Sequence, residues 1–359
     1  MPCRTVTKWF KIIVTMRRVV LALALMAVAF CGCKSGRQAE DDDVINFIME
    51  TDIGNDIDDV IAMDLIYKYI DAGKVNLLGV CINKEGYATG EFVDILNTWY
   101  GHPDVPIGVI HNGALCDEVE YNYTRKVADL ETPEGQPAFK RTLKDHDSLL
   151  EAPTLYRKLL SKAKDNSVVI ASVGFSTNLA RLLDTPADEY SPLSGKELVA
   201  KKVKLLSTMA GCFSDTTRHE YNVVKDILAA KKVFEEWPTP LVTSPWELGA
   251  VVKYPAESID NDFEWAEGLH PLREAYYHYQ PRPYNSPTWD PTAVLYAVEG
   301  DRWFNVSEPG FISINSVGSS IFTPDPNGNR RYLMIDDTQA EAIKNHFIAI
   351  VTTPPATIR

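Results

Sequence analysis

A single α/β domain with a mainly parallel central sheet flanked by helices is the fold class this sequence predicts, and three observations carry it. Apolar runs that fit buried strands alternate with helix-period segments through most of residues 44–359. The first two such runs, 44–51 and 75–82, flank a helical pattern over 58–69, which makes a βαβ unit. Consecutive strand patterns appear only after Glu308, so a small β addition is expected near the C-terminus. The chain has 359 residues, 45% of them hydrophobic, and no internal repeat, enough for one large core.

Taken in order, residues 16–33 begin with Arg17-Arg18, continue through a short apolar core and end in Gly32-Cys33. The apolar run is too short to span a bilayer comfortably, so residues 1–33 are expected to be a cleaved signal with Met16 as its initiator. Gly32-Cys33 resembles a bacterial lipobox, although Phe30 is atypical at the third position before the cysteine. That resemblance implies lipidation of Cys33 and attachment to the cell envelope, periplasmic or surface-facing, by the lipid alone. Residues 34–43 read as a polar tether. Their acidic end is similar to export signals of surface lipoproteins, and an ordinary linker fits as well.

Charge narrows the partners. Residues 1–33 hold five basic and no acidic side chains, so residues 34–359 carry 31 basic against 49 acidic ones, a net charge of −18. Such a chain is a poor polyanion binder, and nucleic acid is not expected as a partner. Outside the leader, Cys81, Cys116 and Cys212 form neither a disulfide framework nor a metal-type spacing.

The first strand, 44–51, runs into Glu50-Thr51-Asp52-Ile53-Gly54-Asn55-Asp56-Ile57-Asp58-Asp59. Four aspartates at one strand-to-helix turn repel each other unless a cation or protons hold them together. Oxygen ligands favour a hard ion such as Ca²⁺ or Mg²⁺ over zinc. Each aspartate alone also fits a helix N-terminus, where the dipole favours a carboxylate. The βαβ unit places the cluster at the carboxyl edge of the sheet, where such folds bind ligands.

Further strands are expected at 105–110, 167–173, 203–208 and 240–244, and helices at 91–100, 152–163, 179–183 and 225–236. The stretch 111–147 is polar and proline-containing, a functional lid or a disordered loop. An aromatic helix at 271–280, a helix opening with Trp289-Asp290-Pro291, a hairpin turn at Asn327-Gly328 and a last helix at 338–351 complete the chain. The whole reads as one Rossmann-like domain over residues 44–359.

The acidic stretch resembles the opening Asp-Thr-Asp-x-Gly-x-Asp-Asp motif of the inosine-uridine-preferring nucleoside hydrolases. Glu50 stands at the first aspartate, and two extra residues separate Gly54 from Asp58-Asp59. Later segments are similar in the same order: Asn83 at the end of the second strand, Gly174-Phe-Ser-Thr-Asn178, Met209-Ala-Gly211 followed by Glu220-Tyr221-Asn222, and Trp289-Asp290-Pro291 where the family has His-Asp-Pro. The resemblance implies Ca²⁺-dependent hydrolysis of ribonucleosides to ribose and free base. Asp52 is then metal ligand and general base, and Asp59, Asp290 and the carbonyl of Val173 complete the protein's share of the metal. Asp58, Asn83, Glu220 and Asn222 hold the ribose, Trp289 faces the base, and a homo-oligomer is a frequent assembly.

Weaker readings stand beside these. Asn83 and Asn178 fit turns, Glu220 with Asn222 fits a helix cap, and Asp290 before Pro291 fits an N-cap. Tyr276, Tyr277, Tyr279, Tyr284 and Trp289 fit either core aromatics or a base-stacking platform. Trp289 cannot protonate a departing base, which leaves Tyr277, His278 or His219 as donors. A phosphatase with a nucleophilic aspartate two residues before its acid is discounted, because that position is Glu50. The remaining alternatives are a metal-dependent nucleoside- or sugar-binding lipoprotein with little turnover, and a hydrolase of a different riboside.

Overall fold

The computed structural model describes residues 44–86, 88–114 and 122–358. The expected signal, the tether and Cys33 lie outside the described residues, as does Cys116. Seven strands, β1 (Ile45–Thr51), β2 (Val75–Ile82), β3 (Ile107–Val109), β4 (Leu150–Glu151), β5 (Val168–Ser172), β6 (Val203–Met209) and β7 (Leu241–Ser244), form a parallel array. Four late strands join the same sheet: β8 (Asn305–Val306), β9 (Gly310–Ile314), β10 (Ser320–Pro324) and β11 (Arg330–Met334). The order is β10-β9-β11-β7-β6-β5-β1-β2-β3-β4, with β8 antiparallel to β11. The late β addition is therefore an extension of the main sheet, parallel at β11–β7 and antiparallel beyond.

The central strands read as unbroken apolar runs because both faces are covered. Along β1, Phe47 and Met49 face one core with helices α1 (Asp58–Asp71), α2 (Thr89–Trp99) and, from late in the chain, the helices 271–279, 289–299 and 337–351. Ile48 faces the other core, with α3 (Ala152–Lys162), α4 (Thr177–Asp184) and α5 (Ile227–Glu236). We label the three late helices α6 (Pro271–Tyr279), α7 (Trp289–Glu299) and α8 (Asp337–Val351).

Two expectations need correction. The described part of 111–147 is packed rather than a disordered loop: Tyr123, Val127 and Phe139 are buried in the main core. Asp94 on α2 holds that segment by accepting from the amides of Thr142 (2.6 Å) and Leu143 (2.9 Å) and from the Thr142 hydroxyl (2.8 Å). Asn327-Gly328 is not a hairpin turn either. The hairpin is β9–β10, turning through residues 315–319, while β11 lies on the other side of β9. Local turn propensity at Asn327-Gly328 is real, but pairing with β7 decides where β11 goes.

Arg330 fixes that choice. Its buried guanidinium donates to the carbonyls of Phe234 (2.6 Å) and Trp237 (2.7 Å), which end α5 and would otherwise lack partners. Burial lowers its pKa to about 10, so it stays cationic at neutral pH.

The parallel strands all end on one edge of the sheet. Asp52 follows β1, Asn83 follows β2, Val173 follows β5, and Met209 closes β6. The N-terminus of α7 reaches the same edge, because α7 packs against α1 and β6.

Candidate active site

At this edge the acidic stretch leaves β1 through Gly54, whose φ of +107° is a backbone region that few other residues adopt. The turn delivers Asp58 and Asp59 to the first turn of α1. The residue before them, Ile57, makes no side-chain cap, and both carboxylates are buried. They do not serve as N-caps.

Gly174 sets the depth of the site. A Cβ there would stand 2.7 Å from the Cβ and the amide nitrogen of Asp52 and 2.5 Å from Oδ1 of Asn83. Only glycine lets the end of β5 lie this close to β1, which brings Val173 to the same pocket as Asp52.

Asp290 arrives from α7. Its backbone amide donates to Oδ2 of Asp58 at 3.1 Å, and one carboxylate oxygen each from Asp52, Asp59 and Asp290 lies within 4.8 Å of the others. All three residues are at most 5% exposed. Burial is the first cause that pushes their carboxyl pKa values up, and mutual repulsion adds to it for Asp59 and Asp290. Asp52 rises to about 6, since Lys84 and a hydrogen bond from Asn55 oppose the cost of burial. The Thr51 hydroxyl donates to Asp59. Three convergent buried carboxylates form an all-oxygen donor set suited to a hard divalent cation.

Above these groups is a partly open pocket with about 420 Å³ of empty volume. Asp58, Glu220 and Asn222 line it, and Tyr221, Trp246 and Trp289 supply its aromatic wall. Asn222 donates to the carbonyls of Val173 and Met209, both at 3.0 Å, which ties β5 to β6. Glu220 accepts from the amides of Asn222 (2.8 Å), Gly211 (3.0 Å) and Val223 (3.2 Å). It is therefore a helix cap and a pocket residue at once, and burial raises its pKa to about 7.

Asn83 is not brought into the pocket lining. It is fully buried behind Asp52, and its amide donates to Glu50 at 3.1 Å. Glu50, which also accepts from the Tyr156 hydroxyl, has its pKa raised to about 8 by burial. Asn178 ties α4 to β2 by donating to the Ile82 carbonyl at 3.1 Å.

Of the aromatic residues singled out in the sequence, only Trp289 lines the pocket. Its indole N–H donates to the Trp246 carbonyl at 2.9 Å. Tyr279 reaches the rim indirectly, by donating to Asp56. Tyr277 is occupied by Arg273, which donates to its hydroxyl at 3.0 Å, and neither Tyr277, His278 nor His219 lines the pocket. Sequence reasoning missed Trp246, Asn55 and Lys84. The signal for Asn55 was its place inside the acidic stretch; Trp246 and Lys84 carried none.

The inosine-uridine preferring nucleoside hydrolase family model matches residues 47–347. No curated protein matches the chain. Among solved structures, a purine-preferring ribonucleoside hydrolase from Gardnerella vaginalis is similar with a TM-score of 0.66 at 16% identity, covering 86% of this chain and 98% of that one. A plant nucleoside hydrolase gives a TM-score of 0.63 at 17% identity, covering 86% of this chain and 99% of its own. An inosine-uridine preferring nucleoside hydrolase from Bacillus anthracis gives 0.62 at 16%, covering 86% and 98%. At these identities the structures establish a shared fold.

Proposed function

The chain belongs to the inosine-uridine preferring nucleoside hydrolase family, whose members are N-glycosyl hydrolases, and from that premise we propose that it cleaves ribonucleosides to ribose and free base with the help of Ca²⁺. The observation that carries this reading is the convergence of Asp52, Asp59 and Asp290 within 4.8 Å at the floor of a pocket. Together with the Val173 carbonyl, these residues would hold the ion. Bound there, the cation would supply the positive charge that acidifies a water and draws the sugar hydroxyls down.

The chain's own groups do the rest. Asp52, buried at the pocket floor beside Asp59 and Asp290, is the general base that takes the proton from the attacking water. Asp58, Glu220 and Asn222 are hydrogen-bonding partners for the ribose hydroxyls. The carboxylates of Asp58 and Glu220 also favour the positive charge that develops at C1′ as the base departs. Trp246, Trp289 and Tyr221 offer flat apolar surface to the aglycone. Asn83 acts one layer back, through Glu50, rather than on the ribose.

A second reading, a metal-dependent nucleoside binder with little turnover, is favoured by one observation. Among the described residues the pocket contains no histidine, and the indole N–H of Trp289 is already spent on Trp246. A panel of ribonucleosides assayed for free ribose, with and without a chelator, separates the two. Release of ribose that stops on chelation supports the hydrolase. Ligand-induced thermal stabilisation without any free base would make the protein a binder. Lipid anchoring through Cys33 and self-association complete the proposal and rest on the sequence alone.

A further inference from the structure

Lys84 is only 6% exposed, an unusual burial for a lysine outside a paired site. Its ammonium donates to Oδ1 of Asn55, and the Asn55 amide nitrogen donates to Oδ2 of Asp52. The Asn55 backbone amide also lies 3.3 Å from the Asp52 carbonyl. Asn55 thus stands between a cation and an anion. Its amide has one orientation that satisfies both, oxygen toward Lys84 and nitrogen toward Asp52. Tyr123 frames the same turn, accepting from Gly54 N at 2.8 Å and donating to the Asp56 carbonyl at 2.9 Å.

We propose that Lys84 is a positioning residue for Asp52, acting through Asn55. The inference rests on the hydrolase reading above for the role of Asp52. A carboxylate held at one oxygen loses its freedom to rotate, so its other oxygen keeps a fixed direction. Lys84 holds Asn55 in the orientation that does this, and its charge offsets part of the repulsion around Asp52. The strand end that carries Lys84 is thereby coupled to the base without touching substrate.

The test compares Lys84→Met, Lys84→Arg, Asn55→Ala and the double variant Lys84→Met/Asn55→Ala. Each is titrated with CaCl₂ by calorimetry and assayed with inosine at saturating CaCl₂. Loss of an outer partner of a metal ligand costs about 10–100-fold in affinity or activity, and losses of that size in kcat and in Ca²⁺ affinity are expected for Lys84→Met and Asn55→Ala. For Lys84→Met KM should stay within about threefold of the wild type, because Lys84 does not line the pocket. The double variant should be no worse than the weaker single one, since the two act in series. Lys84→Arg, which keeps a charged donor, should recover most of the loss. Wild-type kcat and Ca²⁺ affinity in Lys84→Met, or losses that multiply in the double variant, would overturn the relay. If Lys84→Met does not fold, Lys84→Gln replaces it in the same comparison with Asn55→Ala and the double variant. If the wild type binds Ca²⁺ but cleaves no nucleoside, the hydrolase reading fails, and the Ca²⁺ affinities alone decide the relay.

Discussion

The backbone amide of Asp290 donates to Oδ2 of Asp58 at 3.1 Å, joining the first turns of two helices whose residues lie 232 positions apart. The bond leaves the Asp58 carboxylate oriented but crowded, because burial and the nearby Asp56 both push its pKa up. Asp58→Asn keeps an oxygen to accept from Asp290 and removes one charge. In metal-free protein it should therefore raise Tm, by roughly 1–2 °C for each kcal/mol of relieved repulsion. The same change should lower kcat/KM on ribonucleosides. A drop in Tm in differential scanning calorimetry would show that the Asp58 charge is favourable even without a cation.

Calcium should stabilise the protein, because it relieves the repulsion among Asp52, Asp59 and Asp290. At about 100 times its Kd, a ligand that binds only the folded state adds about 2.7 kcal/mol. Asp52→Ala should lose that Ca²⁺-dependent rise in Tm and reduce turnover by at least ~10². Unchanged melting and unchanged ribose release in excess chelator would defeat the metal-centred site.

A separate pH dependence is expected from Asp64. Burial raises its carboxyl pKa to about 6, with the Lys68 ammonium at 3.9 Å and the Tyr100 hydroxyl acting in the opposite direction. A raised folded-state pKa means that its contribution to stability is complete below the ordinary carboxylate pKa and disappears as pH rises through about 6. Asp64→Asn does not titrate, so its Tm relative to wild type should climb between pH 4 and pH 7 by the equivalent of about 1–3 kcal/mol. A difference in Tm that stays flat across that window would mean that Asp64 ionises normally in the folded protein.

Leaving-group chemistry gives a further contrast. With Trp289 where the family motif has histidine, purine ribonucleosides should be cleaved slowly and p-nitrophenyl riboside faster. General-acid catalysis contributes roughly 10²–10⁴-fold, so Trp289→His should raise the rate on inosine far more than on the activated riboside. Wild-type turnover of inosine as fast as that of the activated riboside would point to another acid in the pocket. Asp56, Glu220 and Tyr221 are the groups placed to supply one.

For the leader, Cys33→Ala should move the protein from the membrane to the soluble fraction. Cytoplasmic fractionation of the unaltered protein would remove the lipoprotein expectation.

Much of the site was legible because its signals are local. A strand, four aspartates and a helix in immediate succession can only place the acids at a strand end, and Asp52, Asp58 and Asp59 are there. The direction of a side chain is not local. Asn83 sits at the expected strand end, yet its amide turns inward to Glu50, a partner set by the packing of α3 beneath β1. Tyr277 and Tyr279 are two residues apart on α6, and helical rotation sends one to Arg273 and the other to Asp56. Trp246 opens a six-residue helix too short to leave a periodic trace. The late strands were recognised as strands, but their order in the sheet depends on Arg330 and the end of α5, almost a hundred residues away.

That order has a consequence for how the chain is completed. Strand β11 lies between β7 and the β9–β10 hairpin, although the hairpin precedes it in the chain. Until β11 arrives, β7 presents an open backbone edge and the hairpin has no place on the sheet. During synthesis, a chain that has emerged only as far as residue 326 would carry every residue of the pocket and still expose an apolar, unpaired flank. The last thirty or so residues behave as a clasp, with β11 closing the sheet and α8 settling on α1. C-terminal truncation should therefore be felt first as aggregation, with the acids of the site intact in sequence but never assembled in a soluble protein.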